Sequence, residues 1–141
     1  MNVLYVDDNE LNRNLLGSLF ETRALEVRLA ADAFEGERMV LERAPDFLFV
    51  DYNMPGRNGL ELIERLRAHP DVDPKLPICM VTAETALKES GEAFRRGADG
   101  IVLKPVAMRE LFSFIEAFGR GRRHRIGAPP SAENSYAWDM R

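Results

Sequence analysis

The sequence predicts an α/β protein built on a central parallel sheet with helices on both faces. Two observations predict it. Short apolar runs alternate with amphipathic helical patterns throughout residues 1–118, and each run ends in a polar residue followed by turn or cap chemistry. Five such strand-helix repeats, joined by right-handed crossovers, put helices on both sides of the sheet.

Val3-Leu4-Tyr5-Val6 is a short apolar strand that ends in Asp7-Asp8. Leu11, Leu15 and Leu19 then recur at four-residue spacing, which predicts a helix burying that face. Val27 to Ala30 is a second strand with only partial alternation, suited to a position near the sheet edge. Phe34 to Arg43 follows as a helix, with Asp32 placed to cap it and Pro45 just beyond its end.

Phe47-Leu48-Phe49-Val50-Asp51 is the central strand. A continuous apolar run suits a strand covered on both faces, and Pro55-Gly56 ends the pairing soon after the acid. Gly59 to Ala68 reads as the third helix, with Leu62, Ile63 and Leu66 inward. Ile78 to Val81 is the fourth strand and delivers Thr82 to its end. Ala86 to Arg96 reads as one helix stopped at Gly97. Ile101-Val102-Leu103 is the fifth strand and delivers Lys104-Pro105. In the last helix, Ala107 to Phe118, the expected core stripe is Met108, Leu111, Phe112 and Ile115. Phe114 and Phe118 widen its apolar arc and are expected to cover something more.

The 141 residues suffice for one domain with a real core. Residues 1–118 carry 14 Lys/Arg against 21 Asp/Glu, a net charge of −7, while 119–141 carry 5 against 2, a net of +3. The division expected is therefore a folded body, 1–118, and a basic, proline-containing tail or linker, 119–141. The tail holds Gly119 to Arg125 as a basic run, Gly127 to Ser131 as linker, and the aromatic pair Tyr136 and Trp138. An acidic body repels phosphates, so nucleic acid is not an expected partner. No apolar run reaches the ~18 residues of a membrane span, and Met1 to Leu4 lacks signal-peptide character. A cytoplasmic, membrane-free protein is expected. Cys79, in an apolar run, is expected to be a buried small hydrophobe.

The strand ends converge on one rim, the edge at which ligands of open α/β sheets bind. Asp7 and Asp8 arrive from the first strand, Asp51 from the third, Thr82 from the fourth and Lys104 from the fifth. Three crowded carboxylates repel one another unless a cation is present, and oxygen ligands of this kind suit Mg²⁺.

Asp7-Asp8, Asp51 with Asn53-Met54-Pro55-Gly56 and Gly59, Thr82-Ala83, and Gly97-Ala98-Asp99-Gly100 leading to Lys104-Pro105 together resemble the receiver domain of two-component response regulators. The opening Asp7 to Arg13 is most similar to single-domain or hybrid-kinase-type receivers. The resemblance implies a flavodoxin-like (βα)5 three-layer sandwich with strand order 2-1-3-4-5. It implies that Asp51 is the phosphoacceptor, fed by a histidine kinase or histidine phosphotransfer protein. Asp8, Asp51 and the backbone carbonyl of Asn53 would ligate Mg²⁺, with Asp7 acting through water. Lys104, Thr82 and the Ala83 N–H would hold the phosphoryl oxygens, and Lys104-Pro105 would be a cis peptide.

A phosphoryl group on Asp51 would then draw Thr82 inward and shift the face formed by the fourth helix, fifth strand and fifth helix. The usual aromatic switch position holds aliphatic Ile101. Output is expected instead through the loop after the fourth strand or through Phe114 and Phe118, and a homodimer through the last helix. Asn53 and Glu84 occupy the positions that tune dephosphorylation. The chain would not be an enzyme beyond phosphorylating and dephosphorylating its own Asp51. Three alternatives stay open. The chain is a receiver fragment of a larger hybrid kinase or multidomain regulator, a Mg²⁺-dependent phosphatase, which would want an acid where Asn53 stands, or a nucleotide- or flavin-binding protein, which would want a Gly-rich loop where Asp7 to Glu10 stand.

Overall fold

The structure, a computed structural model, describes residues 1–119. Five parallel strands, β1 (Asn2–Val6), β2 (Glu26–Ala30), β3 (Phe47–Asp51), β4 (Ile78–Thr82) and β5 (Gly100–Leu103), form one sheet in the order β2-β1-β3-β4-β5. The helices are α1 (Glu10–Glu21), α2 (Ala33–Glu42), α3 (Gly59–Ala68), α4 (Thr85–Ser90), α5 (Glu92–Arg95) and α6 (Met108–Gly119). The expected three-layer sandwich and strand order are both found.

β3 and β4 are buried along their whole length, as continuous apolar strands between two helical layers must be. β2 is one edge of the sheet, opposite β5, and the most exposed strand. Alternation along the strands divides the core in two. Leu4, Val6, Leu48, Val50, Ile78 and Met80 share one layer with Leu62, Ile63 and Leu66 of α3, whereas Val3, Tyr5, Phe47, Phe49, Cys79 and Val81 share the other with α1 and α6. Cys79 is buried there, and burial pushes its thiol well above the ordinary range.

Three helical expectations are corrected. In α1, Leu11 and Leu15 are 67% and 55% exposed, and the buried residues are Leu16, Gly17 and Phe20. Phe20 decides the rotation, because its ring lies 5.0 Å from Phe49 and brings Leu16, one turn earlier, inward with it. The single helix expected at Ala86 to Arg96 is broken at Gly91, whose φ of 72° is left-handed and ends α4 before α5 begins.

In α6 the buried residues are Leu111, Phe114, Ala117 and Phe118, while Phe112 and Ile115 are half-buried and Met108 is exposed. The strand face it meets carries Phe47 and Phe49, and Phe114 lies 6.3 Å and 5.6 Å from those rings, with Phe118 4.6 Å from Phe114. Phe114 and Phe118 are therefore core residues and offer no output surface. The basic run after Gly119, the linker and Tyr136 and Trp138 lie outside the described residues.

Candidate functional site: an acidic crevice at the strand ends

β1 ends at Val6, so Asp7 and Asp8 leave on opposite faces of the pleat. Asp7 continues the face of Val3 and Tyr5 and is fully buried, whereas Asp8 is exposed. Asp51, last residue of β3, shares Asp7's face by the same alternation from Phe49 and is 5% exposed. One carboxylate oxygen from each of Asp7, Asp8 and Asp51 lies within 4.8 Å of the others.

The electrostatics of this cluster are strained. Burial, and then the neighbouring charge of Asp7, push the Asp51 carboxyl from 3.8 up to about 6, partly offset by Lys104. The Lys104 ammonium sits 3.2 Å from Asp51 Oδ1 and 3.3 Å from Asp7 Oδ2. The Lys104-Pro105 peptide is cis, as the resemblance implied. A hard divalent cation fits this set, because all donors are oxygen and the repulsion between Asp7 and Asp51 is what such an ion relieves.

Asp7 is held from several directions. Tyr5 donates its hydroxyl to Asp7 Oδ2, the Asn9 N–H donates to Oδ1 at 2.9 Å, and Arg13 Nη1 donates to the Asp7 carbonyl at 2.7 Å. No role was assigned to Tyr5 from the sequence; its period-two spacing from Asp7 is the signal that could have found it.

The loop after Asp51 is anchored at both ends. The Asn58 side chain accepts from the Glu61 N–H, and Glu61 accepts from the Asn58 N–H, each at 2.9 Å, so α3 starts at a fixed point. The Gly59 N–H donates to the Tyr52 carbonyl at 2.9 Å. A Cβ at Gly59 would stand 2.3 Å from the Asp51 carbonyl oxygen, so only glycine allows this closeness. Arg57 lies over the Phe34 ring at 4.2 Å and donates to Glu37 at 2.6 Å, tying the loop to α2.

Thr82, at the end of β4, is fully buried, and its hydroxyl accepts the Glu84 N–H at 3.0 Å. Ala83 between them is exposed. The Asn53 amide approaches Glu84 Oε1 at 3.5 Å, both side chains at the exposed mouth. Ile101, on β5, is 1% exposed and belongs to the apolar cluster that includes Leu87, Ala93 and Phe94. It lies in the core rather than at the rim where the other site residues meet.

Comparison with known proteins agrees with this geometry. The chain is 36% identical over 124 residues to the phosphate regulon transcriptional regulatory protein PhoB of Rhizobium meliloti, covering 88% of this chain and 54% of that protein. It is 35% identical over 120 residues to the transcriptional regulatory protein PhoP of Escherichia coli, covering 85% of this chain and 52% of that protein. It thus spans about half the length of each of these relatives. The structure superimposes on the chemotaxis protein CheY4 of Vibrio cholerae with a TM-score of 0.74 and 29% identity, covering 82% of this chain and 95% of that one. The model of the response regulator receiver domain matches residues 3–116. The chain belongs to the receiver domain family of two-component response regulators.

Proposed function

We propose that Asp51 takes a phosphoryl group from a phosphohistidine on a histidine kinase or phosphotransfer protein, and that the aspartyl phosphate changes which protein residues 1–118 bind. The observation that carries this reading is the Lys104 ammonium poised 3.2 Å from a buried aspartate whose neighbours are two further aspartates. An Asp51 carboxylate oxygen attacks phosphorus. The O–P bond forms as the P–N bond breaks, and the imidazole leaves.

Asp8, Asp51 and the Asn53 carbonyl would hold Mg²⁺, with Asp7 reaching it through water. When bound, the ion neutralises the carboxylates and the phosphoryl oxygens beside them. Lys104 follows the phosphoryl group by leaving Asp7. The Thr82 hydroxyl, already accepting from the Glu84 N–H, keeps its own proton to donate to a phosphoryl oxygen, and the Ala83 N–H supplies a second donor. Movement of Thr82 carries the loop into α4 and α5, whose Leu87, Ala93 and Phe94 share a cluster with Ile101. In that place an aliphatic side chain transmits the shift by packing alone. Asn53 and Glu84 at the mouth orient the water that later hydrolyses the phosphate. Residues 119–141 act as a linker or tail.

The donor's docking surface lies beside the crevice. Exposed Leu15 of α1 lines a groove whose walls include Leu19, Lys104, Pro105 and Val106. A donor helix resting there would present its histidine to Asp51.

Intact-mass spectrometry after incubation with Mg²⁺ and acetyl phosphate tests the reading on wild type and Asp51→Asn. A Mg²⁺-dependent gain of one phosphoryl group that the variant lacks is expected. An equal gain in the variant, or none in wild type, overturns it.

A further inference from the structure

Tyr5 is a phenol buried in the α1/α6 layer, and its O–H is spent on an oxygen of the acidic crevice. Its position follows from the sheet: Tyr5 and Asp7 are two residues apart on one strand, so both point to the same face. Asp7 Oδ2 consequently accepts from two groups of different character, the neutral Tyr5 hydroxyl and the charged Lys104. The phenol is fixed by burial, while Lys104 is on a flexible stem and 22% exposed. A phenol keeps its proton across the physiological range, so the Tyr5 hydroxyl remains a donor to Asp7.

We infer that Tyr5 is a positioning residue of the metal site, which keeps Asp7 oriented and hydrogen-bonded when Lys104 moves away, and thereby lowers the cost of exchanging the ammonium for a divalent cation. The inference rests on the reading of Asp7, Asp8 and Asp51 as the Mg²⁺ site. Lys104 bridges Asp7 and Asp51 and so competes with a divalent cation for both. Without the phenol O–H, the buried Asp7 Oδ2 would have Lys104 as its remaining side-chain donor, and the ammonium would be held in place more strongly. Metal would then bind more weakly although every direct ligand is intact.

The test is a Mg²⁺ titration followed by backbone amide NMR at Asp8 and Asn53, on wild type, Tyr5→Phe, Lys104→Met and the double variant. Tyrosine labelled with ¹³C at Cζ is observed in parallel. Tyr5→Phe is expected to raise the Mg²⁺ dissociation constant about tenfold, and the effect should shrink to less than threefold in the Lys104→Met background. A packing role would add equally in both backgrounds. In the wild type, Tyr5 Cζ should shift with Mg²⁺ along the same isotherm as the amides, an observation independent of whether any variant folds. Amides that shift while Tyr5 Cζ stays unmoved, or a Tyr5→Phe constant within twofold of wild type, overturn the inference but leave the metal site standing. Amides that never respond to Mg²⁺ overturn both.

Discussion

The Lys104 ammonium lies 3.2 Å from the Asp51 carboxylate, reaching the end of β3 from the end of β5. Tertiary folding alone makes this pair, since 53 positions of chain separate the two residues. The ammonium offsets part of the burial and Asp7 repulsion that raise Asp51, and in the proposed reaction it would meet a phosphoryl oxygen carried by Asp51. Lys104→Met is therefore expected to slow Mg²⁺-dependent uptake from acetyl phosphate by ~100-fold, the scale of a lost transition-state donor. Mass spectrometry against time measures it, and an unchanged rate would remove Lys104 from the chemistry.

Asp51 makes stability depend on pH when divalent metal is removed. Its carboxyl is raised from 3.8 to about 6, so the folded state binds the proton more tightly than the unfolded chain. The Asp51 contribution is fully present below pH ~4 and is lost as pH rises through about 6, costing roughly 2 to 3 kcal/mol once the buried group is charged. In EDTA, Asp51→Asn should be more stable than wild type at pH 7 and nearly equal to it at pH 4, with Mg²⁺ closing the gap at pH 7. Urea unfolding at the two pH values measures this; identical differences at both would exclude Asp51 as the cause.

Gly59→Ala should be disproportionately harmful for one added methyl group. Its Cβ would lie 2.3 Å from the Asp51 carbonyl oxygen and 3.0 Å from both Met80 and Val50, three contacts deep in the fold. A loss of about 3 kcal/mol is expected, the upper end for overpacking, along with displacement of the strand end that carries Asp51. Denaturant unfolding gives the first quantity, and amide shifts of Asp51 and Tyr52 the second.

Leu15→Glu separates docking from chemistry. The side chain is 55% exposed, so folding should change by less than ~0.5 kcal/mol. Phosphoryl transfer from a histidine phosphotransfer protein should slow at least tenfold, while uptake from acetyl phosphate stays at the wild-type rate. Slowing with both donors would show that the substitution disturbs the crevice instead.

Asn53 and Glu84 meet at the mouth of the site at 3.5 Å. Replacing both with apolar residues removes the groups that would orient a hydrolytic water, and the aspartyl phosphate is expected to persist several-fold longer. Decay of the phosphorylated mass after donor removal reports the lifetime, and an unaltered half-life would assign hydrolysis to other groups.

The strands, their parallel arrangement and the identity of the groups delivered to the rim are all readable in the order of residues. Those features are local: an apolar run followed by an acid, a threonine or a lysine is legible one strand at a time. Burial on both faces also marked β3 and β4 as interior strands, because both read as continuous apolar runs. Helix rotation was a different matter. Leu11 and Leu15 have the spacing of a core face, yet Phe20 meets Phe49 and turns the helix so that Leu16 goes inward. The last helix turns Phe114 and Phe118 toward Phe47 and Phe49 for the same reason.

Hydrophobic periodicity says that a helix has a buried side, but where several apolar arcs compete, the partner surface selects among them. The break at Gly91 likewise needed tertiary structure, since glycine permits a left-handed residue without requiring one. Only the folded chain showed that Lys104 ends against Asp7. Which neighbours each polar atom of the crevice meets is set by how β1, β3 and β5 are brought together, and no single segment contains that information.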